Sequence, residues 1–173
     1  MQLIIKEKSG NFRHSIGAEY ISKDFDNNDL GINFKTNYYS VSGNSNYRIL
    51  NPNKTFNAFR INLNSYFEFY TPTNQIQSSN FNVNMSATTK KNHYYGGGIN
   101  FNPFKNYDYY EPRTANRYFV NPETLGGFLN FSSNYNNKFA LDLSPYMTHV
   151  LNENRYESGF EISPRYRFND KFS

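Results

Sequence analysis

The chain has 173 residues, 37% of them hydrophobic and 19% aromatic, with 18 Lys and Arg against 14 Asp and Glu and no cysteine. The net charge of +4 is spread without a basic block, which gives nucleic acid no stripe to follow, and zero Cys excludes a disulfide framework and thiolate metal sites. No apolar run reaches the length of about 18 residues that a membrane-spanning helix needs, and 16 Tyr with 17 Phe argue against a disordered chain.

Met1–Lys8 has only three apolar residues in succession, too few for the apolar region of an export signal, and reads as a strand over 2–8. A second strand over 11–22 alternates Ile16, Ala18 and Tyr20 with Ser15, Gly17 and Glu19. The third, over 31–49 with a bend at Gly43, sets Ile32, Phe34, Thr36 and Tyr38 against Asn33, Lys35 and Asn37. The strand over 55–70 has the clearest pattern: Phe59, Ile61, Leu63, Ser65, Phe67 and Phe69 on one parity, Arg60, Asn62, Asn64, Tyr66 and Glu68 on the other. The spacing predicts further strands over 75–88 (Phe81, Val83, Met85, Ala87 against Asn80, Asn82, Asn84, Ser86), 92–102, 125–135, 138–149 and 155–168. Clusters such as Asn27-Asn28-Asp29, Asn51-Pro52-Asn53-Lys54, Thr71-Pro72-Thr73-Asn74, Thr89-Lys90-Lys91-Asn92, Asn136-Asn137-Lys138 and Asn152-Glu153-Asn154 supply the turns. No apolar stripe of helical period is present, so the class is all-β.

Alternate side chains of a strand point to opposite faces, so each segment has one greasy and one wet wall. Long two-faced strands joined by short turns predict an antiparallel up-and-down meander, a transmembrane β-barrel with lipid outside, a polar lumen inside and aromatic girdles at both interfaces. Mean hydropathy of −0.82 does not oppose this, because only alternate residues need to face lipid. Sixteen residues at about 3.3 Å each span ~53 Å, longer than a barrel's apolar band of roughly 25 Å even when tilted, so some strands are expected to project beyond a membrane. A closed barrel leaves no edge in lipid, and Asn169-Asp170 reads as a turn after which Lys171-Phe172-Ser173 starts a further strand. The expectation is a single segment, 1–173, internal to a larger barrel.

Residues 103–123 break the rhythm with three prolines and no alternation, which predicts a long irregular loop, either an external binding loop or a constriction folded into the lumen. Its candidate binding residues are Tyr109, Tyr110, Glu111, Arg113, Arg117 and Tyr118. The turn Phe25-Asp26-Asn27-Asn28-Asp29-Leu30-Gly31 and the segments Glu111-Pro112-Arg113 and Arg117-Tyr118-Phe119 resemble a β-barrel family of unknown function. Its members follow a module similar to carbohydrate-binding family nine in Gram-negative surface proteins. That resemblance implies an outer membrane location, lipid as a partner and an N-terminal β-sandwich in the full-length protein. It implies no catalytic residues.

Candidate chemistry is sparse. Asp24, Asp26, Asn28 and Gly31 resemble a calcium loop, but Asp29 stands where the loop glycine belongs and Lys35 where the bidentate acid belongs. His14, His93 and His149 are far apart and lack ligand partners in register. Glycoside hydrolysis would draw on Glu68, Asp142, Glu157, Glu161, Asp108 or Glu111, at separations the sequence does not give. Tyr94-Tyr95-Gly96-Gly97-Gly98 marks a bend, a bulge or close backbone approach rather than a nucleotide loop. The lumen-parity charges Arg60, Glu68, Glu161, Arg165 and Arg167 either line a pore, bind an anion or sugar, or pair across the lumen as a structural ladder. The leading expectation is a non-enzymatic barrel segment, without cofactor, serving a structural role or the transport or display of surface ligands such as glycans. The alternatives are a soluble or surface β-sandwich that binds carbohydrate through exposed tyrosines, and a barrel-borne hydrolase.

Overall fold

A computed structural model of the chain describes residues 1–25, 35–114 and 116–169. It contains β1 (Gln2–Lys6), β2 (Phe12–Ile21), β3 (Tyr38–Ile49), β4 (Phe56–Tyr70), β5 (Ile76–Thr89), β6 (Tyr94–Asn102), β7 (Asn106–Asp108), β8 (Phe119–Asn121), β9 (Thr124–Ser132), β10 (Phe139–Val150) and β11 (Arg155–Tyr166). Nine of them form one antiparallel sheet in the order β1-β2-β3-β4-β5-β6-β9-β10-β11, and β7 and β8 form a separate ribbon. The meander read from the alternation is therefore present, and among the described residues it is an open sheet whose outer strands are β1 and β11.

Asparagine makes the turns. Asn74, Asn92 and Asn152, each in a predicted turn cluster, adopt φ of 56°, 59° and 63°, the left-handed region that asparagine tolerates better than most residues. The Asn53 carboxamide oxygen accepts from the Thr55 and Phe56 amides at 2.9 and 2.8 Å and so launches β4. No bulge interrupts β3 at Gly43, where Ile16, Gly43 and Ser65 pair in unbroken register. The early part of the predicted third strand, Ile32 and Phe34 included, and Lys171–Ser173 lie outside the described residues, and β3 begins at Tyr38.

The register sorts the two parities into two continuous faces. On the apolar face Leu63, Val83 and Ile99 form one row and Ile61 with Met85 the next. Aromatic rows flank them. Tyr20, Tyr39 and Phe69 align at one end, with Tyr39 stacked on Phe69 at 4.9 Å, while Tyr47, Phe59, Tyr95 and Phe131 gather at the other. Among the described residues no second layer covers this face: the strands touch only their sheet or ribbon neighbours, apart from β5 with β7. Leu63, Ile99 and Leu129 are accordingly 53%, 56% and 65% exposed, and among the described residues the buried apolar side chains are Ala87 and Ala140. Fully burying such a side chain is worth roughly 1.5–3 kcal/mol, so in water this sheet forgoes the main stabiliser of a fold.

Gly98 permits a close approach between strands. A Cβ there would stand 2.8 Å from the Val83 carbonyl oxygen, 2.9 Å from the Phe128 ring and 3.0 Å from the Asn84 Cβ. Backbone cannot rotate away as a side chain can, so Gly98→Ala is expected to destabilise by about 1–3 kcal/mol, as overpacking does. A urea titration of the variant alongside the wild type checks this.

Within segment 103–123, expected as a long irregular loop, lie the two short strands β7 and β8. Asn102 faces Thr124 across β6–β9, and Asn106 faces Asn121 across β7–β8. Three residues (103–105) separate the two pairings on the outgoing arm and two (122–123) on the return, so β7–β8 continues the β6–β9 hairpin past a one-residue offset. Pro103, which has no amide to donate, sits where the ladder breaks. Three paired residues per arm are too short to show alternation in the sequence.

Candidate functional site

Amides dominate the polar face. Asn44, Asn64, Asn82 and Asn100 stand in one cross-strand row over β3–β6, and Asn46, Asn62 and Asn84 in the adjacent row. Along the first row Asn44 donates to Asn64 at 2.5 Å, Asn64 to Asn82 at 3.0 Å and Asn82 to Asn100 at 2.7 Å. Asn62 donates to Asn84 at 2.7 Å, and Asn84 reaches back to the Asn82 oxygen. A third set runs from Asn80 to Asn102 at 3.0 Å and from Asn102 to the Thr124 hydroxyl at 2.7 Å. A carboxamide has two donor and two acceptor positions; Asn82 uses all four within the protein, while Asn62 and Asn100, with fewer side-chain bonds, still offer groups to a solute. This ladder was not singled out from the sequence. Its signal is there nonetheless, as Asn-x-Asn at 44/46, 62/64, 80/82/84 and 100/102.

Charged groups lie around this amide field. Glu68, 3% exposed, is held by Lys35 Nζ at 3.0 Å and by the Tyr66 hydroxyl at 2.7 Å, and it faces Ser40 in the register. Arg60 faces Arg48 and Ser86. Glu161 accepts from the Ser163 hydroxyl at 3.0 Å, Arg165 lies 4.6 Å over the Tyr135 ring, and Arg167 donates to the Tyr135 carbonyl at 3.0 Å. The hydrogen bonds crossing the middle of this face thus come from carboxamides, with Glu68, Glu161, Arg165 and Arg167 engaged elsewhere and Arg60 set opposite Arg48.

The extended hairpin positions the predicted loop residues in two groups. Tyr109 stacks on Tyr70 at 4.3 Å and its hydroxyl donates to the Gln75 side chain. Tyr110 donates its hydroxyl to the Thr36 carbonyl, and Lys35 Nζ lies 5.7 Å from its ring centroid. Asp108 Oδ1 accepts from the Tyr110 and Glu111 amides at 2.8 and 3.0 Å, folding the tip back, and the Ser79 hydroxyl ties the arm to β5 through Asn106 at 2.9 Å. Tyr109 and Tyr110 are therefore docking residues. Tyr118 touches Tyr107 and Tyr109 at 5.3 and 5.2 Å and is half exposed, while Glu111, Arg113 and Arg117 stand exposed at the tip, Arg113 with φ of 51°.

Burial pushes the Tyr110 hydroxyl up to about 12, and the Glu68 charge acts in the same direction. A tyrosine whose folded value is raised contributes stability that is whole below its ordinary value near 10 and is lost as pH rises through about 12. The hairpin tip is expected to stay docked at neutral pH and to loosen across that alkaline window. Difference titration of phenolate absorbance between wild type and Tyr110→Phe should show one component missing near pH 12; a missing component near 10 would contradict the docking.

The remaining candidates have local partners. His14 pairs with the Ser45 hydroxyl at 2.8 Å, His93 Nδ1 accepts from the Asn134 amide at 3.2 Å, and His149 stacks on Tyr156 at 4.3 Å. Among the described residues no three of His, Asp and Glu converge on a metal position. Asp24 is in an exposed turn, while Asp26, Asn28 and Gly31 lie outside the described residues. Asp142 accepts from the Tyr135 hydroxyl, and Glu157 is exposed on β11.

Comparison with curated proteins gives no match, and neither does comparison with solved structures. One family model matches residues 1–173; its description reads Domain of unknown function (DUF5916).

Proposed function

The chain belongs to the DUF5916 family, and we propose that it forms nine strands of the wall of an outer membrane β-barrel. The single observation that carries this reading is the apolar face, continuous over nine strands and uncovered among the described residues, opposite a face lined by carboxamides. Hydrocarbon is the cover such a surface calls for, and a polar lumen accounts for the other side. The aromatic rows agree in spacing. From Phe59 to Phe69 is ten residues, about 33 Å along a strand, which a tilt of about 40° reduces to roughly 25 Å, the height of a barrel's apolar band. In lipid every backbone group needs a partner, so closure joins β1 and β11 to each other or to further strands.

The two ends of the sheet are unlike. One end carries the long connections 22–37 and 103–123, while the other has only the short turns 7–11, 50–55, 90–93 and 133–138. Barrels of this type place long loops outside the cell and short turns in the periplasm. The exposed tip of the β6–β9 hairpin, with Glu111, Arg113, Arg117 and Tyr118, is then displayed at the surface for ligands such as glycans. The amide rows supply a neutral, hydrogen-bonding wall for hydrophilic solutes in transit. The resemblance to barrels that follow a carbohydrate-binding-like β-sandwich supports the same address.

The test is migration on a gel. The protein folded in detergent or lipid should run faster unboiled than boiled, and should aggregate once detergent is withdrawn. A chain that is monomeric and folded in plain buffer would sink the membrane reading and favour the soluble carbohydrate-binding sheet.

A further inference from the structure

At the short-turn end of the polar face, Arg48 of β3 stands directly opposite Arg60 of β4, and Arg60 in turn faces Ser86 of β5. Thr88 faces Ala58, whose methyl group fills little space, and these residues surround a concavity of about 270 Å³. Like charges directly opposite each other across strands destabilise a sheet. Among the described residues neither guanidinium has an acidic partner: the ion pairs are Lys35–Glu68 and Glu153–Arg155. Arg48 Nε is moreover buried with no hydrogen-bond acceptor. A buried donor left unpaired is destabilising, so repulsion and desolvation both ask for the same missing group, an anion.

We propose that Arg48, Arg60, Ser86 and Thr88 form a binding site for a tetrahedral oxyanion, a phosphate or phosphate ester. Two guanidinium forks and two hydroxyls offer more donors than the two oxygens of a carboxylate can use, and two fixed positive charges suit a dianion. The concavity has room for a phosphoryl group and a substituent. The site rests on strand register and side-chain chemistry, independent of the membrane reading; within that reading it lies on the lumen wall near the periplasmic mouth.

The protein, folded in a phosphate-free detergent, is titrated with inorganic phosphate at constant ionic strength while its melting temperature is followed. Wild type should be stabilised by phosphate beyond the effect of chloride. Arg60→Gln should weaken the response by about tenfold or more, as loss of charge-assisted hydrogen bonds does, and Arg48→Gln likewise. Arg60→Lys should fall between, keeping charge without the fork. Without phosphate, Arg60→Gln should be no less stable than wild type, because repulsion is relieved. A second arm places the protein in vesicles containing phosphatidic acid and no free phosphate. A response there supports the same chemistry with a lipid headgroup as its source, and a response only to dissolved phosphate assigns a solute. Wild type that responds equally to phosphate and chloride, or an Arg48→Gln/Arg60→Gln pair that responds as wild type does, overturns the proposal. Heat-modifiable migration is read on the same samples, so a failed barrel is told apart from a failed anion site.

Discussion

Arginine placed at Leu63, Ile99 or Met147 should prevent much of the chain from reaching the heat-modifiable form, whereas arginine at Ser144 should leave it largely intact. The first three project from the uncovered face at 53%, 56% and 50% exposure, so in water the exchange would be near neutral, within about 0.5 kcal/mol. In a bilayer the same exchange costs about 2–4 kcal/mol at the midplane. Two such substitutions would consume much of a stability that for folded domains totals about 5–15 kcal/mol. Ser144 points to the opposite face and pairs in register with Glu161, where a new cation meets an acid. Urea unfolding in lipid vesicles measures the effect. Equal, small changes at all four positions would mean that the greasy face never meets hydrocarbon.

The second large effect is expected at Asn82. Its carboxamide oxygen accepts from Asn64 and Asn84, and its amide donates to Asn100 at 2.7 Å and to the Ile99 carbonyl at 3.3 Å. Asn82→Leu removes this junction and leaves partners on three strands with unmet groups, for a loss of about 1–3 kcal/mol. Asn82→Asp, which keeps the acceptor, should lose less. A double-mutant cycle with Asn64→Ala should give a coupling of roughly 0.5 kcal/mol or more, as for residues sharing a network. A coupling of zero would show that water replaces the ladder without penalty.

The strands were legible because their alternation is long. Phe59 to Phe69 keeps one parity through ten residues, and β4 and β5 end within a residue of their predicted limits. Turn chemistry was equally plain where Asn74, Asn92 and Asn152 take positive φ. What the sequence hid depends on register. Glu68 and Lys35 lie thirty-three residues apart, and nothing local marks them as a pair. Arg48 and Arg60 become neighbours only once β3 and β4 are aligned. The Asn-x-Asn repeats were visible as polar residues, yet their union into rows requires four strands in phase. The β7–β8 ribbon escaped because three residues per arm, after a proline, carry too little periodicity to read.

The same alternation offers the most direct test. The chain has no tryptophan, so single tryptophans can be walked through β4 and β5 and their fluorescence quenched by lipids brominated along the acyl chain. Quenching should alternate, strong at Ile61, Leu63, Val83 and Met85 and weak at Asn62, Asn64, Asn82 and Asn84. Quenching that ignores this two-residue period, or is absent from both sets, would contradict the lipid-facing wall.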